Sequence, residues 1–185
     1  YYGGTYYYYA LVGAAIGIDA SAGYGDVTVS SASDITAQSL YVSATGINAT
    51  ALYDVAVTNS GDISASSLYS YATGNNASAS AIYLGKYYGS LVFDGTTTVS
   101  NSGDITLYAP RNSSGRATGI NATREVGDVV VGNSGDIDIY AGGRSYGIFA
   151  FATYGDVSVT NSGDISMLSH TDAVIGIQAS TGNFF

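Results

Sequence analysis

Apolar and polar residues alternate in short runs along this chain of 185 residues. In the run DISA at Asp62–Ala65, isoleucine and alanine point to one side, while aspartate and serine point to the other. This alternation, with many β-branched residues, is typical of strands that bury one face. A glycine every few residues disfavours helices. The pattern therefore predicts an all-β protein built from short strands.

Three four-residue phrases recur in a fixed order, and we name them after their first two residues. Copies of the Gly-Ile phrase lie 28 or 29 residues apart, except for one step of 45. Such regular repetition predicts a repeat architecture. The Gly-Ile phrase begins at Gly17, Gly46, Gly74 (a degenerate copy), Gly119, Gly147 and Gly176. The Asp-Val phrase begins at Asp26, Asp54, Asp128 and Asp156. The Asp-Ile phrase begins at Asp34, Asp62, Asp104, Asp136 and Asp164.

The fixed order of three short strands favours a coil over a meander of hairpins. Each coil would have three sides, and each strand would pair with the same strand one coil further along. We predict one domain over residues 1–185: a single-stranded parallel β-solenoid with three strands per coil of about 28 residues and about six coils.

Inward columns of isoleucine follow from this register. We predict one column from the Gly-Ile phrases and another from the Asp-Ile phrases. The first column contains Ile18, Ile47, Ile120, Ile148 and Ile177. The second contains Ile35, Ile63, Ile105, Ile137 and Ile165.

The motif NSGD ends on the first residue of four of the Asp-Ile phrases, and its asparagine is Asn59, Asn101, Asn133 or Asn161. An asparagine side chain can bond backbone groups two residues further on, and glycine permits a sharp bend. Stacked at ~4.8 Å between coils, the four amides would form a ladder. The motif predicts a corner and not a catalytic loop.

Composition limits the classes of partner. Fourteen acidic residues and five basic residues give a formal charge of −9, which argues against nucleic-acid binding. The chain has no cysteine, so neither disulfides nor thiolate metal sites are expected. The longest apolar run, Tyr6–Ile18, is too short for a membrane helix, so no membrane insertion is expected.

Runs such as YGDVSVTNSGDIS at Tyr154–Ser166 and IGIQAS at Ile175–Ser180 resemble the repeats of bacterial autotransporter passengers and filamentous-haemagglutinin-like adhesins. The resemblance covers roughly residues 16–180. It implies a right-handed parallel β-helix that is secreted and displayed on a cell surface, where it serves in adhesion or in the matrix.

The outward aspartates allow two interpretations. Divalent cations between coils would offset the repulsion of stacked carboxylates. Alternatively, each aspartate caps its own corner, which we favour because the calcium-binding nonapeptide with paired glycines is absent. His170, the one histidine, belongs to no nucleophile motif. We therefore predict no catalytic residue, no metal site and no cofactor.

The 45-residue step marks an enlarged coil with insertions at about residues 80–93 and 110–115. Insertions in solenoids map to loops on one face, often a binding face. Four of the five basic residues of the chain lie in this enlarged coil, together with three tyrosines that could contact sugars or a partner protein. A tolerated surface loop is an equal alternative. The candidate interaction loop comprises Tyr83, Lys86, Tyr87, Tyr88, Arg111, Arg116 and Arg124.

Taken together, these features predict a non-enzymatic, extracellular structural or adhesive solenoid of a bacterial-type cell surface. Its partners would be host or matrix glycans or proteins. An alternative is a filament subunit that binds copies of itself head to tail, because terminal coils expose strand edges and both ends (YYGGTYYYY and TGNFF) are aromatic. A polysaccharide-active β-helix enzyme is a weaker alternative.

Overall fold

The computed structural model describes residues 6–10, 13–79, 95–110 and 116–182, and every regular element among them is a β-strand. No helix in this part of the chain is long and apolar enough to cross a membrane. The strands are β1 (Tyr6–Ala10), β2 (Ala15–Ser21), β3 (Val27–Ser31), β4 (Ile35–Ser39), β5 (Ala44–Ala51), β6 (Val55–Asn59), β7 (Ile63–Ser67), β8 (Ala72–Ala79), β9 (Thr96–Asn101), β10 (Ile105–Ala109), β11 (Ala117–Val126), β12 (Asp128–Asn133), β13 (Ile137–Ala141), β14 (Ser145–Tyr154), β15 (Val157–Asn161), β16 (Ile165–Ser169) and β17 (Val174–Thr181).

The strands form three parallel sheets, one for each phrase. The Asp-Ile sheet runs β1-β4-β7-β10-β13-β16, the Gly-Ile sheet runs β2-β5-β8-β11-β14-β17, and the Asp-Val sheet runs β3-β6-β9-β12-β15. Every strand therefore pairs with the strand three elements away, as expected when the chain winds as a coil. The predicted parallel β-solenoid with three strands per coil is confirmed. It has about five turns, where about six were predicted, and about 29 residues per coil.

The strand register aligns the predicted isoleucine columns. In the Asp-Ile sheet, Ile105 pairs with Ile63 on one side and Ile137 on the other. In the Gly-Ile sheet, Asn75 occupies the column position between Ile47 and Ile120. This pairing confirms that the sequence at Gly74 is a degenerate copy of the Gly-Ile phrase.

The interior of the solenoid is filled by these columns. Central residues such as Ile63, Ile120 and Ile137 are fully buried, and full burial of such a side chain contributes roughly 1.5–3 kcal/mol. In the last described coil the columns are more open, since Ile165 is partly buried and Ile177 is 45% exposed. Both predicted columns are therefore confirmed, and their burial is greatest where coils cover them from both sides.

Glycine in the Gly-Ile phrase is required by close packing between two sides of the coil. Gly119 and Ile120 are both buried, so strand β11 departs from strict alternation at this point. A Cβ atom on Gly119 would lie 2.7 Å from Cγ2 of Ile137 and 2.5 Å from the carbonyl oxygen of Gly147. The Gly-Ile phrase and the Asp-Ile phrase are therefore matched to each other across the core.

The third coil contains a strand that the phrase pattern did not predict. Strand β9 takes the place of a missing Asp-Val phrase, and its Val99 pairs with Val57 and Val131. Thr97 fills the fully buried position of the preceding valine. The Thr97 hydroxyl donates a hydrogen bond to the carbonyl oxygen of Thr123 at 3.4 Å, which satisfies the buried group.

Candidate binding site

The NSGD corners form the predicted amide ladder. Nδ2 of Asn101 donates to Oδ1 of Asn133 at 2.8 Å, and Nδ2 of Asn133 donates to Oδ1 of Asn161 at 2.7 Å. Nδ2 of each asparagine also donates to the carbonyl oxygen two residues further on. These side chains are committed to holding the corner, as predicted, and are not available to a ligand.

The ladder begins with an incomplete step. Nδ2 of Asn59 donates to Oδ1 of Asn101 at 2.9 Å, but the buried Oδ1 of Asn59 has no hydrogen-bond partner. In the register, Ser31 occupies the equivalent position one coil earlier. The serine hydroxyl donates weakly to the carbonyl oxygen of Ser33 at 3.4 Å instead. The side chain of Ser31 is too short to continue the ladder.

The outward aspartates have a structural role that differs from both interpretations of the sequence. Oδ1 of Asp104 accepts the backbone N–H of Asp136 at 2.9 Å, and Oδ1 of Asp136 accepts that of Asp164 at 2.8 Å. The Asp-Val column repeats the arrangement, as between Asp128 and Asp156 at 2.9 Å. Each carboxylate therefore caps the next coil and not its own corner. Among the described residues no group of three or more acidic or histidine side chains could hold a metal ion.

Most of the candidate interaction loop lies outside the described residues. This holds for Tyr83, Lys86, Tyr87, Tyr88 and Arg111. The loop therefore stays a prediction.

Arg116 is exposed immediately before β11, as a surface role requires. Arg124, in contrast, lies within β11 with 2% of its surface exposed, which corrects its expected place in a loop. Its Nε donates to the carbonyl oxygen of Val126 at 2.5 Å, and its Nη1 donates to that of Tyr53 at 2.8 Å. The strand continues in register through this position, so the guanidinium group is turned inward, where it bonds backbone carbonyls beside the enlarged coil.

His170 lies in an aromatic column on the Asp-Ile sheet. Its Nε2 contacts the hydroxyl of Tyr140, and the two rings meet edge to face with centroids 5.1 Å apart. Tyr140 in turn stacks on Tyr108 at 5.3 Å. The imidazole therefore extends a column of stacked rings.

The outward face of the Gly-Ile sheet contains a groove with mixed chemistry. The groove has a volume of about 340 Å³ and crosses three successive coils, at β8, β11 and β14. None of the described side chains that line it is a carboxylate. The principal lining residues are Tyr71, Arg116, Asn121, Arg144, Tyr146 and Phe149.

Two arginines form the cationic side of this groove. Ala117 pairs with Ser145, so Arg116 and Arg144, which precede them, occupy equivalent positions in adjacent coils, ~4.8 Å apart along the axis. Both arginines are exposed. Within the described part of the chain, neither guanidinium forms a hydrogen bond or an ion pair. The pair is therefore free to meet an anionic group.

Aromatic and polar side chains form the rest of the groove. The rings of Tyr146 and Phe149 meet edge to face with centroids 5.3 Å apart. Phe149 also stacks on Phe151 at 6.5 Å. Thr118 and Asn121 contribute a hydroxyl group and an amide group to the lining. The groove thus places cations, aromatic rings and polar side chains next to one another.

Sequence reasoning identified Arg116 but missed Arg144, Tyr71, Tyr146 and Phe149. A signal for the arginine pair was present, since GRATGI at residues 115–120 recurs as GRSYGI at residues 143–148. The aromatic residues gave no comparable signal, because the equivalent positions in the neighbouring coils carry other residues, such as Thr118 for Tyr146 and Asn121 for Phe149. Their proximity becomes evident once the coils are stacked.

No protein-family model matches the chain, and neither the curated proteins nor the solved structures contain a significant match to it.

Proposed function

We propose that the chain is a non-enzymatic structural and adhesive β-solenoid, displayed outside the cell on a bacterial-type surface. The resemblance of its repeats to autotransporter passengers and filamentous-haemagglutinin-like adhesins supports this proposal. Its partners are glycans or proteins of a host surface or matrix, met by outward side chains that the coils present in rows.

The observation that carries the proposal is the use of the polar repeat residues for architecture. The carboxylates of Asp104 and Asp136 cap neighbouring coils, and the amide of Asn133 bridges two others. The repeated carboxylate and amide groups thus stabilise a regular scaffold. Side chains used in this way support a role in displaying a binding surface more than a role in acid–base catalysis. Outward positions that the scaffold does not need, such as Arg116 and Arg144, are left for contact with a partner.

Binding by the purified chain to arrays of glycans and matrix proteins tests this function. The proposal predicts retention on a subset of the array, with the retained polymers recovered at their original length. Shortened polysaccharide chains would support the β-helix enzyme instead. Absence of retention on every glycan and protein would contradict an adhesive role.

A filament subunit that binds copies of itself head to tail is the second candidate. In the last described coil Val157 and Ile165 are only partly buried, and Ile177 is 45% exposed. Strands β15, β16 and β17 are the edge strands of their sheets among the described residues. Such edges can pair with the strands of another copy, and a head-to-tail contact of this kind does not close.

Electron microscopy of the purified chain tests the filament. Thin fibres in which copies stack along the solenoid axis are the expected result. A strictly monomeric protein at high concentration, measured by light scattering, would contradict polymerisation.

A further inference from the structure

The groove on the Gly-Ile sheet is positively charged on an otherwise acidic protein. The chain carries a formal charge of −9. Of the three arginines in the described ranges, Arg124 is buried, while Arg116 and Arg144 are exposed and line the same groove. A local concentration of one sign of charge in a concave site attracts ligands of the opposite sign. The groove is therefore suited to an anion.

The arginine pair specifies the kind of anion. A guanidinium group presents a planar fork of N–H donors that fits the two oxygens of a carboxylate. Two such forks one coil apart repel each other, and two anionic groups with the same spacing would relieve that repulsion. The groove is thus complementary to a polymer that carries a carboxylate on successive units.

The rest of the lining identifies the body of each unit. Tyr146 and Phe149 offer apolar ring surface, while Thr118 offers a hydroxyl group. A pyranose ring has C–H groups that pack on aromatic faces and hydroxyl groups that bond to a threonine side chain. A sugar acid combines these features with a carboxylate on one residue.

The position of the groove favours a polysaccharide over an acidic peptide. The groove lies on the outward side chains of the Gly-Ile sheet and not at a sheet edge. A peptide strand would add to a sheet edge, where backbone groups are free, and would not lie across outward side chains.

We propose that the groove binds a uronic-acid polysaccharide that lies along the solenoid axis and crosses β8, β11 and β14. Arg116 and Arg144 bind carboxylates of the polymer, and Tyr146 and Phe149 pack against its sugar rings. This inference rests on the proposed adhesive function and names the class of glycan that the surface retains.

Isothermal titration calorimetry of the intact chain with hexamers of galacturonic acid and of mannuronic acid tests the ligand class. At least one uronate hexamer should bind, and its carboxyl-reduced, neutral form should bind more than ~10-fold more weakly, since charge-assisted hydrogen bonds are lost. Hexaglutamate should bind more weakly than the uronate. Equal or tighter binding of hexaglutamate, or no binding of either uronate, would overturn the proposal.

The double variant Arg116→Gln/Arg144→Gln tests the site. Loss of two charge-assisted contacts should weaken uronate binding roughly 100-fold. The double variant Arg116→Lys/Arg144→Lys keeps the charge without the fork and should fall between the two. An unchanged affinity in the glutamine variant, with unfolding by urea also unchanged, would overturn the site.

The double variant Ser100→Asp/Ser158→Asp is the matched control for net charge. It makes the same change of two units on the exposed side of the Asp-Val sheet. At physiological salt it should alter uronate affinity by less than about threefold, because distant surface charges are screened. An effect as large as that of the glutamine variant would overturn the groove in favour of a general charge effect.

Failure of this inference can be separated from failure of the proposed function. If the glutamine variant is retained on the same surfaces as the original chain, the adhesive function stands and the groove is not its site. If the original chain is retained on no glycan and no protein, the function itself fails.

Discussion

Completing the asparagine ladder by Ser31→Asn should stabilise the protein. The buried Oδ1 of Asn59 accepts no hydrogen bond. The equivalent Oδ1 atoms of Asn101, Asn133 and Asn161 each accept a hydrogen bond from the asparagine of the preceding coil. An asparagine at position 31 would place its Nδ2 one coil before Asn59 in the same register. It would therefore donate to the orphaned oxygen as its counterparts do.

The size of the effect follows from three contributions. An unsatisfied buried acceptor costs about 1–3 kcal/mol, which the new hydrogen bond would recover. Ordering the longer side chain costs up to about 1 kcal/mol. The new Oδ1 at position 31 becomes the first of the ladder, but Ser31 is only half-buried, so water can reach that atom. The net gain should be about 1 kcal/mol, or roughly 2–4 °C in Tm.

Urea and thermal unfolding followed by circular dichroism measure this gain. Ser30→Asn is the matched control, because Ser30 is exposed and the change adds the same side chain outside the ladder. Ser31→Ala should be nearly neutral, since the hydroxyl makes only a 3.4 Å contact. If Ser31→Asn is no more stable than Ser30→Asn, then the amide ladder does not contribute as described.

Three further changes test the packing and the enlarged coil. Gly119→Ala should lower the free energy of unfolding by about 1–3 kcal/mol through overpacking. Gly132→Ala should be neutral, because a Cβ atom at position 132 would meet open space. Equal urea midpoints for the two variants would contradict the close contact at Gly119. Ile137→Asp should abolish folding, because it places a charge in the buried core. Ser158→Asp should have a mild effect on stability, because Ser158 is exposed. Identical circular dichroism spectra for the two variants would contradict the assigned inward and outward faces of the strands. Deletion of residues 83–91 should leave the thermal transition nearly unchanged but reduce retention on the surfaces that the intact chain binds. Unaltered retention would show that the binding surface lies elsewhere.

The features that the sequence predicted are those in which every coil repeats the same side chain. The columns through Ile105 and Ile137, and the amide ladder through Asn133, need no knowledge of neighbouring coils beyond the period. Strand β9 was not predicted because Thr97 replaces a buried valine of the Asp-Val phrase. The Thr97 hydroxyl donates to a backbone carbonyl that lies close only when the coils are stacked.

The binding groove was harder to predict because it depends on residues that break the repeat. Tyr146 and Phe149 occupy positions at which the adjacent coils have other residues, so the repeat does not mark them. The burial of Arg124 is likewise decided by carbonyl groups distant in sequence, such as that of Tyr53. Stacking of dissimilar coils, and not the pattern within one coil, determines which side chains meet.

Co-elution with a uronate polymer is the most direct test of an adhesive solenoid that binds uronates in this groove. Long polygalacturonate or polymannuronate is incubated with the intact chain and passed over a sizing column with light-scattering detection. We expect one of these polymers to elute together with the protein and to be recovered from the complex at its original length. Shortened polymer would show that the solenoid is an enzyme, and elution of protein and both polymers as separate species would show that the groove does not hold a uronate chain.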